Sequence, residues 1–309
     1  MIFKPARLRG VCLPVLAALL FLAPVAGCAR RPRGDTDPVT ADPNAEPTSE
    51  EVEAEVKAAR DAASTQMSYI RELFEDGHFY DVTLEVRNFV KVHPGSRYLD
   101  EAWFLLARAE YEEGNFLDAE DRFRRILRDF PQSDYARDSL YYLGLALLSQ
   151  SRKAELDQTE TEAAQVQFRS FLTRYPDNEL APRAEEHIRT IREKLAEKTY
   201  KNGETYRKIK SWSAARYYYE QTYLDFRNTS WAPRAGLRMA ETYRKGKPRN
   251  WNDVARWSAR VVADFPDTPE GVSAQKLLDE ATHEMELEDE RLRNPGVDPD
   301  DEPEAGAPR

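Results

Sequence analysis

One of the two cysteines, Cys28, stands where its thiol could act as a nucleophile. It follows Ala26 and Gly27, whose small side chains would leave the backbone open to a processing enzyme. The thiolate is the reactive form of cysteine and readily accepts a covalent group. The sequence therefore predicts a processing and modification site at Cys28, and the alternative is an incidental cysteine of a secreted protein.

The other residue types that commonly carry catalysis or hold metals are scattered along the chain. No two of the four histidines have the spacing of metal ligands, and no second cysteine follows residue 28; the histidines are His78, His93, His187 and His283. Phosphate-binding loops and nucleophile elbows are absent from the sequence. We therefore expect no metal, no cofactor and no enzymatic activity.

Aromatic residues outside the predicted packing faces are better candidates for function. Tyr217, Tyr218 and Trp257 lie on predicted helices but outside the stripe of residues that is expected to pack. Tyrosine and tryptophan are favoured at protein interfaces because they bury a large area with few rotatable bonds. We expect these three residues to bind a partner, unless they pack on the long helix predicted at 181–210.

The segment before Cys28 has the layout of a secretory signal. Residues 1–27 contain basic but no acidic residues, followed by an apolar run that Pro14 and Pro24 interrupt. This run is shorter than the roughly 20 apolar residues of a membrane-spanning helix. Together with this signal-like segment, the motif "VAGC" resembles the lipobox of bacterial lipoproteins. That resemblance implies a lipid on Cys28, and Ala29 in place of aspartate implies the outer membrane.

Composition divides the rest of the chain into three parts. Residues 28–49 are rich in Pro, Asp and Thr and predict a flexible tether, and 293–309 predict a disordered acidic tail. Residues 50–292 contain the apolar content of a folded domain. The net charge of −10 argues against nucleic acid as a partner.

A pattern recurs five times within the folded part. A large aromatic residue precedes a small apolar residue by three positions, and a proline follows twelve positions later, as in Phe116, Ala119 and Pro131. The third instance lacks the aromatic and the fourth lacks the proline. Apolar residues within each segment recur at helical spacing. Gly77 and Gly114 should end helices, and five polar residues should cap helix starts: Ser96, Ser133, Asn178, Thr229 and Thr268.

The repeated unit resembles the tetratricopeptide repeat, in which helix pairs stack into a superhelix with a groove. The sequence thus predicts an all-α, tetratricopeptide-like helical-repeat superhelix of about five helix pairs. The units are expected near 50–93, 97–130, 134–175, 180–227 and 231–265, with a capping helix at 270–292.

Two stretches lengthen the repeat. One is a polar connection at 149–161, and the other is the helical segment at 181–210. Asn202 and Gly203 lie within that helical segment, and both residues disfavour a helix interior. They predict a kink or hinge, and the alternative is a glycine accommodated by close packing.

The turn motifs "FPQSDYA", "RYPDNELAPRAEEHI" and "DFPDT", together with the lipobox, resemble the BamD family of the outer-membrane β-barrel assembly machinery. The resemblance spans about 64–282 and is most specific over 157–200. It implies an outer-membrane lipoprotein on the periplasmic face. The C-terminal repeats would bind a barrel-forming partner with periplasmic domains, and the N-terminal ones nascent outer-membrane proteins.

The chain departs from the family pattern at three places: Asn202 and Gly203, the "RNTS" turn at 227–230, and the acidic tail. One alternative is therefore a helical-repeat lipoprotein that docks a pilus secretin, a cell-wall enzyme or a Tol-Pal-type complex. A third hypothesis is a protein that binds a soluble ligand in the superhelix groove.

Overall fold

The computed structural model describes residues 49–246 and 249–293. The predicted signal peptide, Cys28, the tether and the acidic tail beyond Arg293 lie outside these residues. The described part contains eleven α-helices and no strand, which confirms the all-α helical-repeat fold. The helices are α1 (Ser49–Glu75), α2 (Phe79–Val92), α3 (Leu99–Glu112), α4 (Phe116–Asp129), α5 (Asp134–Gln150), α6 (Thr159–Arg174), α7 (Ala181–Lys208), α8 (Trp212–Asp225), α9 (Trp231–Lys245), α10 (Trp251–Asp264) and α11 (Pro269–Arg293).

Helices consecutive in the chain pack against one another from α2 through α11, and α11 also packs on α9. The α9–α11 contact is parallel and in register. Arg234 near the start of α9 pairs with Glu270 at 3.4 Å, and Arg244 near its end pairs with Glu280 at 2.7 Å. Because both pairs are separated by the same number of residues, α11 follows α9 along its whole length.

Small buried residues allow the helices of a pair to approach closely. Ala119, Ala164 and Ala215, which the repeat predicted to be small, are fully buried. Four further alanines are buried to the same extent: Ala102, Ala184, Ala235 and Ala274. Larger apolar side chains surround them in clusters that extend from α1 to α11. Each unit therefore buries its apolar face against its neighbours rather than in one central core.

Local signals set most helix boundaries as predicted. Gly77 and Gly114 have φ of +78° and +82°, a conformation that glycine adopts without strain. Ser133 and Thr268 cap α5 and α11 as predicted, because each accepts a backbone N–H from the first turn of its helix. Ser96 and Asn178 instead accept the N–H of Tyr98 and Leu180, just before α3 and α7 begin. The fifth prediction was wrong, because Thr229 donates to the carbonyl of Phe226 instead.

Glu193 of α7 caps the start of α9. One of its carboxylate oxygens accepts the backbone N–H of Ser230 at 2.8 Å, and the other accepts the Ser230 hydroxyl at 2.8 Å. A carboxylate near a helix N-terminus also interacts favourably with the helix dipole. A side chain from another helix thus supplies the cap that the "RNTS" turn does not supply itself.

The connection between α5 and α6 is held against α7. Lys194 donates to the hydroxyl of Ser151 at 2.6 Å, Lys198 donates to the carbonyl of Leu156 at 2.8 Å, and Lys201 pairs with Glu155. These lysines lie on one face of α7, because they are spaced four and three residues apart. The polar connection predicted at 149–161 therefore follows a defined path.

Helix α7 runs without interruption through Asn202 and Gly203. A Cβ on Gly203 would lie 2.6 Å from Cε1 of Tyr219, so the ring of Tyr219 occupies the space that glycine leaves. The contact supports the alternative to the predicted kink or hinge, a glycine accommodated by close packing. Close packing of α8 on α7 accounts for the glycine.

Candidate protein-binding surfaces

Three tyrosines form a cluster on the surface shared by α7 and α8. Tyr218 stacks on Tyr206 with ring centroids 5.3 Å apart and planes at 10°. Tyr217 meets Tyr218 edge to face at 5.4 Å, and its hydroxyl accepts a hydrogen bond from Gln221 at 2.9 Å. Tyr217 is 57% exposed, whereas Tyr218 is half-buried. We call Tyr206, Tyr217 and Tyr218 the tyrosine cluster.

The tyrosine cluster offers a partner a preordered aromatic surface. The side chain of Tyr217 is held by its contacts with Tyr218 and Gln221, so binding would sacrifice little rotamer entropy. Ile209, one helical turn after Tyr206, is 69% exposed. The sequence did not single out Tyr206 or Ile209, although Tyr206 lies within the long helix on which the tyrosines were expected to pack.

Tyr218 fits the packing alternative better than the binding prediction. Its ring is covered on one face by Tyr206, and burial raises the pKa of its hydroxyl. Its structural role is therefore to hold Tyr217 in place. Of the two tyrosines predicted to bind, Tyr217 presents the larger free surface.

Trp257 is buried, and the prediction that it faces a partner is wrong. Its side chain is 2% exposed and meets Tyr223 edge to face at 5.4 Å. The guanidinium of Arg260 lies 5.1 Å from the Trp257 ring. The physical reason is the position of α11, whose residues Ala274 and Leu277 share the apolar cluster of Trp257.

A network of charged and hydroxyl groups lies close to the tyrosine cluster. The Tyr219 hydroxyl donates to Glu204 at 2.6 Å, and Arg207 donates to the same carboxylate at 2.7 Å. Arg238 of α9 lies 3.4 Å from Glu204. Burial opposes ionisation of Glu204, but the hydrogen bonds from Arg207 and Tyr219 outweigh it and lower its pKa. The network joins α7, α8 and α9 and so makes the support of the cluster rigid.

A second candidate surface is a groove of about 640 Å³ between α1 and the α2–α3 connection. Its lining combines apolar side chains, including Val56 and Val92, with the cationic side chains of Arg60 and Arg97. Its volume lies in the range of ligand-binding sites in proteins. The sequence did not identify this groove, and its one local signal is the exposed apolar stripe of Val52 and Val56 on α1.

The titratable side chains of the described residues do not gather into a candidate metal site. Within 49–246 and 249–293, no three His, Cys, Asp or Glu side chains gather as a metal site would require. His187 contacts the Tyr141 hydroxyl at 3.2 Å and stacks on Phe168, which is a packing arrangement. None of the described helices combines the length and the apolar character needed to cross a bilayer.

A comparison with protein-family models gives a match over residues 77–256, more than half of the chain, to YfiO, described as an outer membrane lipoprotein. The chain belongs to the YfiO family. This confirms the predicted resemblance to the BamD family. The matched region contains the tyrosine cluster and the α5–α6 connection, whereas α1 and α11 lie wholly outside it.

Solved structures share the helical-repeat theme at low similarity. The TPR2AB domain of yeast Sti1, in its pHSP90 complex, is 15% identical, with 75% of this chain and 95% of that chain covered at a TM-score of 0.37. PilF of Pseudomonas aeruginosa is 17% identical over 78% and 95% of the two chains, with a TM-score of 0.30. No curated protein matches the chain. These scores are too low to support a function, so of these comparisons only the YfiO family match bears on function.

Proposed function

We propose that this YfiO-family protein is a lipid-anchored periplasmic scaffold of the outer-membrane β-barrel assembly machinery. The family match over residues 77–256 is the observation that carries the proposal. The predicted signal and lipobox support attachment through a lipid on Cys28. The stacked helix pairs support a scaffolding role, because such repeats present long continuous surfaces to other chains.

The tyrosine cluster is the surface we assign to the barrel-forming partner. It lies in the C-terminal half of the repeats, and Tyr217 combines an exposed ring with a fixed orientation. Arg216, next to it in the chain, has its guanidinium 4.4 Å from the Tyr243 ring. Aromatic and arginine side chains are the residue types most enriched at the centres of protein interfaces.

The groove between α1 and the α2–α3 connection is the surface we assign to nascent outer-membrane proteins. Its apolar lining suits the alternating apolar residues of an unfolded β-strand. Arg60 and Arg97 would contribute hydrogen bonds to backbone carbonyls or carboxylates of such a segment. The two surfaces lie on different repeats, the groove at α1 to α3 and the tyrosine cluster at α7 and α8, and they share no residue, so both partners could bind at once.

The proposal is tested by capture of the full-length lipoprotein from detergent-solubilised membranes at its native expression level. Mass spectrometry should identify a barrel protein with periplasmic domains among the co-purifying chains. Tyr217→Ala should weaken that capture several-fold. Tyr80→Ala is the matched control, since Tyr80 is also an exposed tyrosine and lies on α2, outside the C-terminal repeats.

Co-purification of a different partner would indicate another function. Recovery of a pilus secretin, a cell-wall enzyme or a Tol-Pal-type component in place of the barrel protein would contradict the barrel-assembly role. Equal losses from Tyr217→Ala and Tyr80→Ala would instead contradict the assignment of the interface to the tyrosine cluster.

A further inference from the structure

A cationic cleft lies at the end of α9, where the chain turns into α10. It has a volume of about 370 Å³ and is lined by Arg244, Lys245, Gly246, Arg249, Trp251 and Glu280. It lies in the C-terminal repeat, and neither the tyrosine cluster nor the N-terminal groove shares a residue with it.

The cleft already receives one carboxylate from α11. Both oxygens of Glu280 accept hydrogen bonds from Arg244, at 3.1 and 2.7 Å. Within residues 49–246 and 249–293, neither Lys245 nor Arg249 has a carboxylate at ion-pair distance, and both side chains are exposed. The cleft can therefore accept further anionic groups beside Glu280.

The chain beyond α11 carries such groups. Residues 298–304 contain five carboxylates among seven positions: Asp298, Asp300, Asp301, Glu302 and Glu304. This density of acidic side chains complements the unpaired cations of the cleft. The acidic tail lies outside the region that matches the family, as does Glu280 in the cleft.

The distances allow the tail to reach the cleft. Helix α11 continues thirteen residues past Glu280, about 20 Å at 1.5 Å per residue. Residue 298 is five positions and residue 304 is eleven positions beyond Arg293. At about 3.3 Å per residue these spans are roughly 16 and 36 Å, so Asp298 falls short of the return path of about 20 Å, whereas the residues from Asp300 onward can cover it.

We propose that the acidic segment 298–304 docks, through its residues from Asp300 onward, in the cleft of its own chain, against Lys245 and Arg249. The tether is short, so the local concentration of carboxylates at the cleft is high without any second molecule. The contact covers the cationic surface of the last repeat. It is sensitive to salt, because the charges involved are exposed. The inference does not depend on the barrel-assembly role.

Carbodiimide cross-linking of the full-length lipoprotein in detergent tests the proposal. The reagent activates a carboxylate, and the amine of a nearby lysine displaces the activated oxygen to form an amide. Peptide mapping should find the segment 298–304 joined to Lys245 several-fold more often than to Lys276. Lys276 is a suitable control because it is exposed and lies on α11 itself.

Two variants and one isotope mixture make the result specific. Arg249→Gln should reduce the Lys245 link, since it removes a cation from the cleft but leaves the reacting amine in place. Replacement of the five acidic residues by their amides should abolish the link. In a mixture of ¹⁵N-labelled and unlabelled protein, linked peptides should carry a single label.

Three outcomes would overturn the proposal. One is a link to Lys276 as frequent as the link to Lys245. Another is a Lys245 link that Arg249→Gln leaves unchanged. The third is mixed-label peptides, which would mean that the tail docks on a second copy of the chain.

Discussion

Gly203 of α7 lies directly beneath the ring of Tyr219 of α8. A Cβ at this glycine would be 2.6 Å from Cε1 and 2.8 Å from Cδ1 of the tyrosine. Tyr219 is fully buried and its hydroxyl is held by Glu204, so the ring has little room to move away. The glycine therefore determines how closely α8 can approach α7.

Gly203→Ala should destabilise the protein. Alanine gains about 1 kcal/mol of helix propensity over glycine, but overpacking a tight contact costs about 1–3 kcal/mol. We expect a net loss in the free energy of unfolding, measured by urea denaturation. Gly95→Ala is the control, because no atom lies within 4 Å of its added Cβ. A Gly203→Ala variant more stable than the original chain would contradict the packing role.

Glu204→Gln should destabilise the protein near neutral pH, by about 2 kcal/mol, since it leaves Arg207 and Arg238 without their shared carboxylate. The pKa of Glu204 is lowered in the folded state. Its stabilising effect is therefore complete above the carboxyl's unfolded pKa and is lost as pH falls through the folded pKa.

The difference in unfolding free energy between the original chain and Glu204→Gln should shrink on acidification below about pH 4. Thermal unfolding at several pH values measures it. Glu220→Gln is a matched control on α8, because Glu220 is exposed and has no ion pair within the described residues. A difference that stays constant across this pH range would argue against a charged role for Glu204.

Trp257→Ala should lower the stability of the protein far more than Tyr217→Ala, because Trp257 is buried and Tyr217 is exposed. Removal of the buried Trp257 should lower the free energy of unfolding by about 3–5 kcal/mol, because its ring meets Tyr223 of α8 and shares an apolar cluster with residues of α9 and α11. Loss of the exposed Tyr217 should change stability by less than about 0.5 kcal/mol. Denaturation curves of the two purified variants test this, and a stable Trp257→Ala protein would be the contrary result.

Glu193→Ala should weaken the start of α9. The variant removes both acceptors of Ser230 and should reduce stability by about 1 kcal/mol, the usual effect of losing a helix cap. Hydrogen exchange of the first turn of α9 should accelerate more than that of the first turn of α5, which has its own cap in Ser133. Glu185→Ala, at an exposed position of the same helix, is the control. Equal exchange rates in the two variants would exclude a capping role for Glu193.

The sequence by itself determined the helices, their small crossing residues and most of their ends. These features depend on contacts within a few positions along the chain. Apolar residues at helical spacing define a buried face, glycine permits a positive φ at Gly77 and Gly114, and a hydroxyl or amide such as Ser133 or Asn178 accepts the nearest backbone N–H. The repetition of the pattern then specified the helical-repeat fold.

The tertiary structure decided which side chains remain available for function. Tyr218 and Trp257 occupy equivalent repeat positions, but Tyr218 meets the rings of Tyr206 and Tyr217 and stays half-buried, whereas α11 buries Trp257. Likewise Glu193 caps α9 from a distant helix. Exposure and capping of this kind depend on which element lies across a given face. That information comes from contacts between residues far apart in the chain, so the periodicity of a single helix does not contain it.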